Sequence, residues 1–171
     1  CGDPLDPASH VGPLISDRAI QQCHERIKDS VGRGGKIMIG GTADGRVFAP
    51  TILTNVPSDA IAACGAEETF GPVLIIEAVD DGEQALARAQ DTPYGLSASI
   101  MTGSQDRGLD MARRFDSGII HVNGATMASE PSLPNGGVKD SGWGRSGHYA
   151  VEDFTEVRLT TLNHGRARYP F

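Results

Sequence analysis

The chain has 171 residues, long enough for a real hydrophobic core. Its 22 acids against 15 bases give a net charge of −7, which speaks against a nucleic-acid partner because such proteins display clustered Lys and Arg. No apolar run approaches the roughly 20 residues that span a bilayer, so no membrane role is expected. Three cysteines, Cys1, Cys23 and Cys64, stand at unrelated spacings; they form no disulfide framework and point to a reducing, cytoplasmic setting. The opening Cys1-Gly2-Asp3-Pro4 carries no Met and starts within a turn, which leads us to expect a longer parent polypeptide.

Residues 1–15 are rich in Pro and Gly and read as loop. Ser16 suits a helix N-cap, and Ile20, Cys23, Ile27 and Val31 recur near helical spacing, with Gly34-Gly35 as the stop. Lys36 to Ile39 reads as a short strand, and Phe48 to Val56 as a second extended piece interrupted by Pro50. Val73 to Val79 is the strongest strand candidate. Asp80-Asp81 then caps a helix to about Gln90, with Ala85, Leu86 and Ala89 inward. Leu96 to Thr102 is a strand, Ser104 caps a helix carrying Leu109, Ala112 and Phe115, and Ile119 to Asn123 is a further buried strand. Strand–helix–strand–helix–strand order calls for parallel crossovers and an α/β fold. Residues 124–147 form a long glycine-rich loop, of the length usually kept for function or an interface. Phe154 to Asn163 alternates β-forming residues.

The most informative stretch is Glu67-Glu68-Thr69-Phe70-Gly71-Pro72, which feeds the apolar run Val73-Leu74-Ile75-Ile76. A carboxylate presents two oxygens to a pair of ribose hydroxyls in charge-assisted bonds. An aromatic two residues on can pack against the sugar or the nicotinamide. From the residues alone, the bland alternative is a solvated acid at Glu68 and an ordinary core ring at Phe70. Gly142-Trp143-Gly144-Arg145-Ser146-Gly147 satisfies the dinucleotide pattern G-x-G-x-x-G literally, but a Pro/Gly loop precedes it and Glu152 and Asp153 follow too closely. It reads as a structural loop.

These landmarks resemble the NAD(P)-dependent aldehyde dehydrogenases. Glu68, Phe70, Gly71 and Pro72 match that family's Glu-x-Phe-Gly-Pro motif. Pro50-Thr51-Ile52-Leu53, Thr92-Pro93-Tyr94-Gly95-Leu96, Gly118 to Asn123, Gly12-Pro13-Leu14-Ile15 and Phe154-Thr155-Glu156-Val157 resemble family stretches in the same order. The resemblance implies that Glu68 binds the nicotinamide ribose and that Phe70 lies beside it. It implies NAD or NADP as cofactor, an aldehyde as substrate, and a homo-oligomer, dimer or tetramer, built through the last strand. The implied fold is a three-layer sheet of mainly parallel strands with flanking helices, ending in an oligomerisation strand. Residues 1–153 would form part of the catalytic domain, 154–164 the terminal strand and 165–171 a tail. Arg145 and Glu156 resemble positions that tie the glycine-rich loop to neighbouring segments. Thr126 and Met127 fall where the family builds its substrate tunnel, and Asn135 stands where it usually has an aromatic.

The family's nucleophile lies in a Gly-Gln-x-Cys setting that this chain does not contain. Cys1, Cys23 and Cys64 match it nowhere, and the general-base glutamate and oxyanion asparagine also lack counterparts. The expectation is therefore no catalytic residue in this chain, no metal site, and no turnover by the chain alone. A stand-alone, non-enzymatic interaction module derived from the family is the alternative, and a thiol-dependent esterase a third. The stretches from His121 to Gly124 and around Gly136-Gly137-Val138-Lys139 are most similar to aromatic-aldehyde members, of the vanillin or salicylaldehyde type.

Overall fold

A computed structural model describes residues 1–57, 67–128 and 130–166. It divides into two compact units, Cys1–Tyr94 and Gly95–Phe171.

In the first unit, helix α1 (Asp17–Gly32) starts where Ser16, in extended backbone, accepts the Ala19 N–H at 3.2 Å through its hydroxyl. Asp17 places a negative charge in the first turn, where the helix dipole favours it. Ala19, Cys23, Ile27 and Ser30 are buried on one face. The inward row thus steps from Ile27 to Ser30, three residues on; Val31, expected inward, is 42% exposed. The helix ends at Gly32, and Gly34, at φ 106°, takes the left-handed turn that lets the Gly35 N–H return to the Ser30 carbonyl at 2.9 Å.

Strand β1 (Lys36–Ile39) and the hairpin strands β2 (Ala43–Asp44) and β3 (Val47–Phe48) lead to β4 (Thr51–Thr54). β4 is central: antiparallel to β1 and parallel to β5 (Val73–Ile76), with Thr51 opposite Val73 and Thr54 opposite Ile76. Cys23, Ile27, Phe48, Leu53 and Val56 form the core, and Leu14, Ile20, Val73 and Ile75 pack on it. Burying an aliphatic or aromatic side chain of this size contributes roughly 1.5–3 kcal/mol. Thr51, 1% exposed, is satisfied at both ends: its hydroxyl donates to the Ala49 carbonyl and accepts the Gly41 N–H, each at 2.8 Å. Helix α2 (Gly82–Gln90) is capped by Asp81, which accepts the Gln84 N–H at 2.8 Å. Leu86 is its buried residue, whereas Ala89, expected inward, is exposed.

In the second unit, β7 (Ser97–Ile100) and β8 (Ile119–Val122) pair in parallel, joined through α3 (Gln105–Arg114). This is the β–α–β unit that the element order called for. Ser104 caps α3, accepting the Arg107 N–H at 3.3 Å. Gly108 is the buried residue of α3 and lies against Val122, so the packed row runs Gly108, Met111, Ala112, Phe115 and leaves Leu109, expected inward, 50% exposed. Gly95, at the end of β6 (Tyr94–Gly95), lies against Val138 of β9 (Val138–Lys139). A 3-10 turn, Gly147–Tyr149, runs into the short helix α4 (Ala150–Phe154).

The fold is α/β as expected. Each unit carries one parallel pair, β4–β5 in the first and β7–β8 in the second. Phe154, expected to open the terminal strand, closes α4, and residues 155–163 are exposed and carry no regular secondary structure. A lone extended segment has no ladder to satisfy its backbone, so a strand there requires a partner edge. Among the described residues no helix is long and apolar enough to cross a membrane.

Candidate functional site

The segment Glu67–Pro72 sits at the entry to β5, and the structure sorts its two carboxylates. Arg26 of α1 donates through Nη1 to the Glu67 carbonyl at 2.7 Å and through Nη2 to the Glu67 carboxylate at 2.9 Å. Glu67 is therefore engaged. The Glu68 side chain is exposed and makes no hydrogen bond or ion pair among the described residues, so both of its oxygens are open to an incoming diol.

Phe70 is 75% exposed and takes φ 48°, a left-handed conformation that costs a bulky residue on the order of 1 kcal/mol. The ordinary-core alternative for Phe70 does not fit this placement. Gly71 follows because nothing larger fits: a Cβ there would overlap the Sγ of buried Cys23. The Pro72 carbonyl accepts the Thr51 N–H at 2.8 Å, which locks the segment to β4 as β5 begins. A carboxylate and a ring are thus held out to solvent from a backbone fixed at both ends.

The second unit holds a cavity of about 580 Å³ lined by Gly118, Ile119, Ile120, His121, Ala128, Glu130, Leu133, Pro134 and Asn135. Its wall is largely apolar. The buried Nε2 of His121 has no hydrogen-bond partner among the described residues. The neighbouring loop is strapped to β7, where Ser97 and Ser99 donate to the carbonyls of Thr126 and Gly124 at 2.8 and 2.6 Å. Asn135 lines the cavity as its position suggested, but Thr126 and Met127 do not, and Met127 is 87% exposed.

Arg145 clamps the glycine-rich loop by donating through Nη1 to the carbonyls of Gly137 at 3.0 Å and Gly144 at 2.6 Å, while its backbone N–H reaches Asp153 at 3.2 Å. Turns and bends surround Gly142–Gly147 where a dinucleotide fingerprint needs a strand and a long helix, which agrees with the structural-loop reading. Glu156 is exposed.

Cys23 is fully buried in the core and Cys1 is exposed; Cys64 lies outside the described residues. No group of three or more His, Cys, Asp or Glu side chains suited to a metal ion occurs among the described residues. Arg26 escaped the sequence reading, because it is 41 residues from its partner and carries no local signal. His121 carried one, being the lone polar residue in the run Ile119-Ile120-His121-Val122.

The segment before β5 thus presents, on an α/β scaffold, an exposed ring and a carboxylate that is unengaged among the described residues. The sequence profile of the aldehyde dehydrogenase family matches residues 1–160, and the chain belongs to that family. It is 41% identical over 170 residues to the vanillin dehydrogenase of Pseudomonas fluorescens, covering 99% of this chain and 35% of that protein. The crystal structure of a salicylaldehyde dehydrogenase from Pseudomonas putida G7 complexed with salicylaldehyde superposes with a TM-score of 0.83 at 34% identity, over 94% of this chain and 33% of that one. A Mycobacterium tuberculosis aldehyde dehydrogenase complexed with NAD+ gives 0.83 at 33% identity, over 95% and 34%. The chain therefore spans about a third of the length of the relatives it matches.

Proposed function

We propose that this chain is the C-terminal part of an NAD(P)-dependent aldehyde dehydrogenase catalytic domain and supplies the wall that holds the nicotinamide ribose. Glu68 accepts hydrogen bonds from the two ribose hydroxyls, and Phe70 packs beside the sugar. The cofactor, NAD or NADP, supplies the hydride acceptor for oxidation of the aldehyde to the acid. The chain's own contribution is position: holding reactants in register lowers a barrier by several kcal/mol without touching the reacting bond. The observation that carries this reading is the sorting of the carboxylates, with Glu67 taken by Arg26 and Glu68 left open beside an outward ring.

None of these 171 residues matches the family's nucleophile, base or oxyanion donor, so the chain alone is expected to form no NAD(P)H. The burial of Cys23 removes that residue as an esterase nucleophile, since a thiolate needs access, whereas Cys1 is exposed. An aromatic aldehyde is the substrate class favoured by the named relatives and by the largely apolar cavity beside His121 and Asn135. The three-layer architecture is supported by β5, whose Leu74 and Ile76 remain 57% and 50% exposed on the face away from α1. A parallel strand apolar on both faces is ordinarily covered on both.

The test places this chain in the P. fluorescens vanillin dehydrogenase in exchange for its matching third. Glu68→Gln in that enzyme is expected to lower kcat/KM for the cofactor roughly 10- to 100-fold, the range for charge-assisted bonds. An unchanged value would remove the ribose-binding role. A non-enzymatic module that pairs through residues 155–163 is a second reading, favoured by the exposure of Val157, Leu159 and Leu162. It predicts no dehydrogenase activity in the exchanged enzyme.

A further inference from the structure

We propose that Arg26 is a positioning residue for the cofactor wall, fixing the backbone from which Glu68 and Phe70 project; this rests on the ribose-binding reading of Glu68. Glu68 makes no hydrogen bond or ion pair among the described residues and Phe70 is three-quarters exposed, so neither side chain is held mainly by contacts of its own. Their direction is set by the backbone of three residues, Glu68 to Phe70, and α1 holds that bridge at both ends. Cys23 abuts Gly71 at one end, and Arg26 grips Glu67 at the other. Cys23 and Arg26 are three apart on a helix, hence neighbours on one face. The helix is itself anchored in the core through Cys23 and Ile27.

The grip is made by a planar fork, one arm on the Glu67 carbonyl and one on its carboxylate, from a side chain only 16% exposed. An ammonium cannot reproduce two directed bonds from one planar group. The left-handed φ of Phe70 adds to the argument, because such a conformation persists only where its surroundings over-determine it. Release of Glu67 lets residues 68–70 relax and misaims the carboxylate. Glu67 is therefore the handle and Glu68 the tool.

Two measurements test this, both with the whole chain. In the exchanged dehydrogenase, Arg26→Gln should raise the KM for NAD about 5- to 20-fold while leaving the KM for the aldehyde unchanged, since only the cofactor wall moves. Arg26→Lys should recover part of the loss. Arg26→Gln on top of Glu68→Gln should add almost nothing, because a misaimed group already removed cannot be lost twice. In the 171-residue chain alone, 4-fluorophenylalanine at position 70 should give a narrow fluorine resonance that broadens or shifts toward the free amino acid in Arg26→Gln. Should that variant fail to fold, Glu67→Gln, at a position 70% exposed, decides the matter by the same readouts with a smaller effect. Unchanged cofactor KM and fluorine signal, while Glu68→Gln still lowers kcat/KM for the cofactor, would overturn the role of Arg26 and leave the proposed function standing. A silent Glu68→Gln would instead remove the ribose-binding reading and, with it, the purpose assigned to Arg26.

Discussion

At Gly71 the requirement is steric, and it couples the binding segment to the core. A methyl group at this position would run into the sulfur of Cys23, which is completely buried between α1 and the sheet. Gly71→Ala should therefore destabilise the chain by about 1–3 kcal/mol, the usual range for overpacking. The clash is with one atom, so removing that atom should relieve it. In a Cys23→Ala background the same Gly71→Ala change should cost much less, giving a coupling well above the few tenths expected of independent sites. Denaturant unfolding of the four chains measures the cycle; additive losses would show that Gly71 is needed for some reason other than Cys23. The same contact gives the Gly-Pro pair a physical purpose: Gly71 lets the chain pass close to α1, and Pro72 sends it into β5 with its carbonyl on Thr51.

Helix α1 is the element on which the first unit is built, and its start is tied to the β2–β3 turn. Arg46 donates to Asp17 through Nε at 2.7 Å and Nη2 at 3.4 Å. These bonds, then the nearby guanidinium charge, hold the Asp17 carboxyl below its ordinary value. A depressed folded-state value means that the pair stabilises the fold at neutral pH and down to the ordinary carboxylate range, and that its contribution is lost as pH falls through the folded value. Asp17→Asn should flatten that acid limb of the melting curve while changing the neutral limb slightly. The pair is solvent-exposed, so salt should erase the difference. Melting temperature against pH, in low and high salt, measures it; an unaltered acid limb would leave the pair without a stabilising role.

The same helix shows where sequence is informative. Its cap at Ser16, like those at Asp81 and Ser104, was legible because a cap is satisfied within three residues. The inward row was legible through Ile27 and then failed at Val31, since the neighbouring layer takes the i+3 position there. Glu68 and Phe70 were singled out by their motif, and the structure adds that both are exposed. The hold of Arg26 could not, because it is formed between residues 41 apart that only the fold brings together.

Across the whole molecule the apolar surface is distributed unevenly along the chain. Phe154, Val157, Leu159 and Leu162 are 87%, 107%, 87% and 81% exposed, within a stretch of nine residues. Leaving that much apolar surface in water is unfavourable, and an extended segment with open N–H and C=O groups is a ready template for another sheet edge. Val157 and Leu159 fall on one side of an extended chain and Leu162 on the other, so pairing would present an apolar row on one face. The expected consequence is self-association, as the homo-oligomer reading requires, with residues 155–163 forming their ladder between copies. Light scattering over a concentration series should show the 171-residue chain growing beyond a monomer, and Val157→Asp with Leu159→Asp should return it to monomer without lowering its melting temperature, because neither side chain supports the core of either unit. A chain that stays monomeric at all concentrations, or a double variant that associates as before, would place the oligomer contact elsewhere. A double variant that unfolds would show that these residues pack within their own chain.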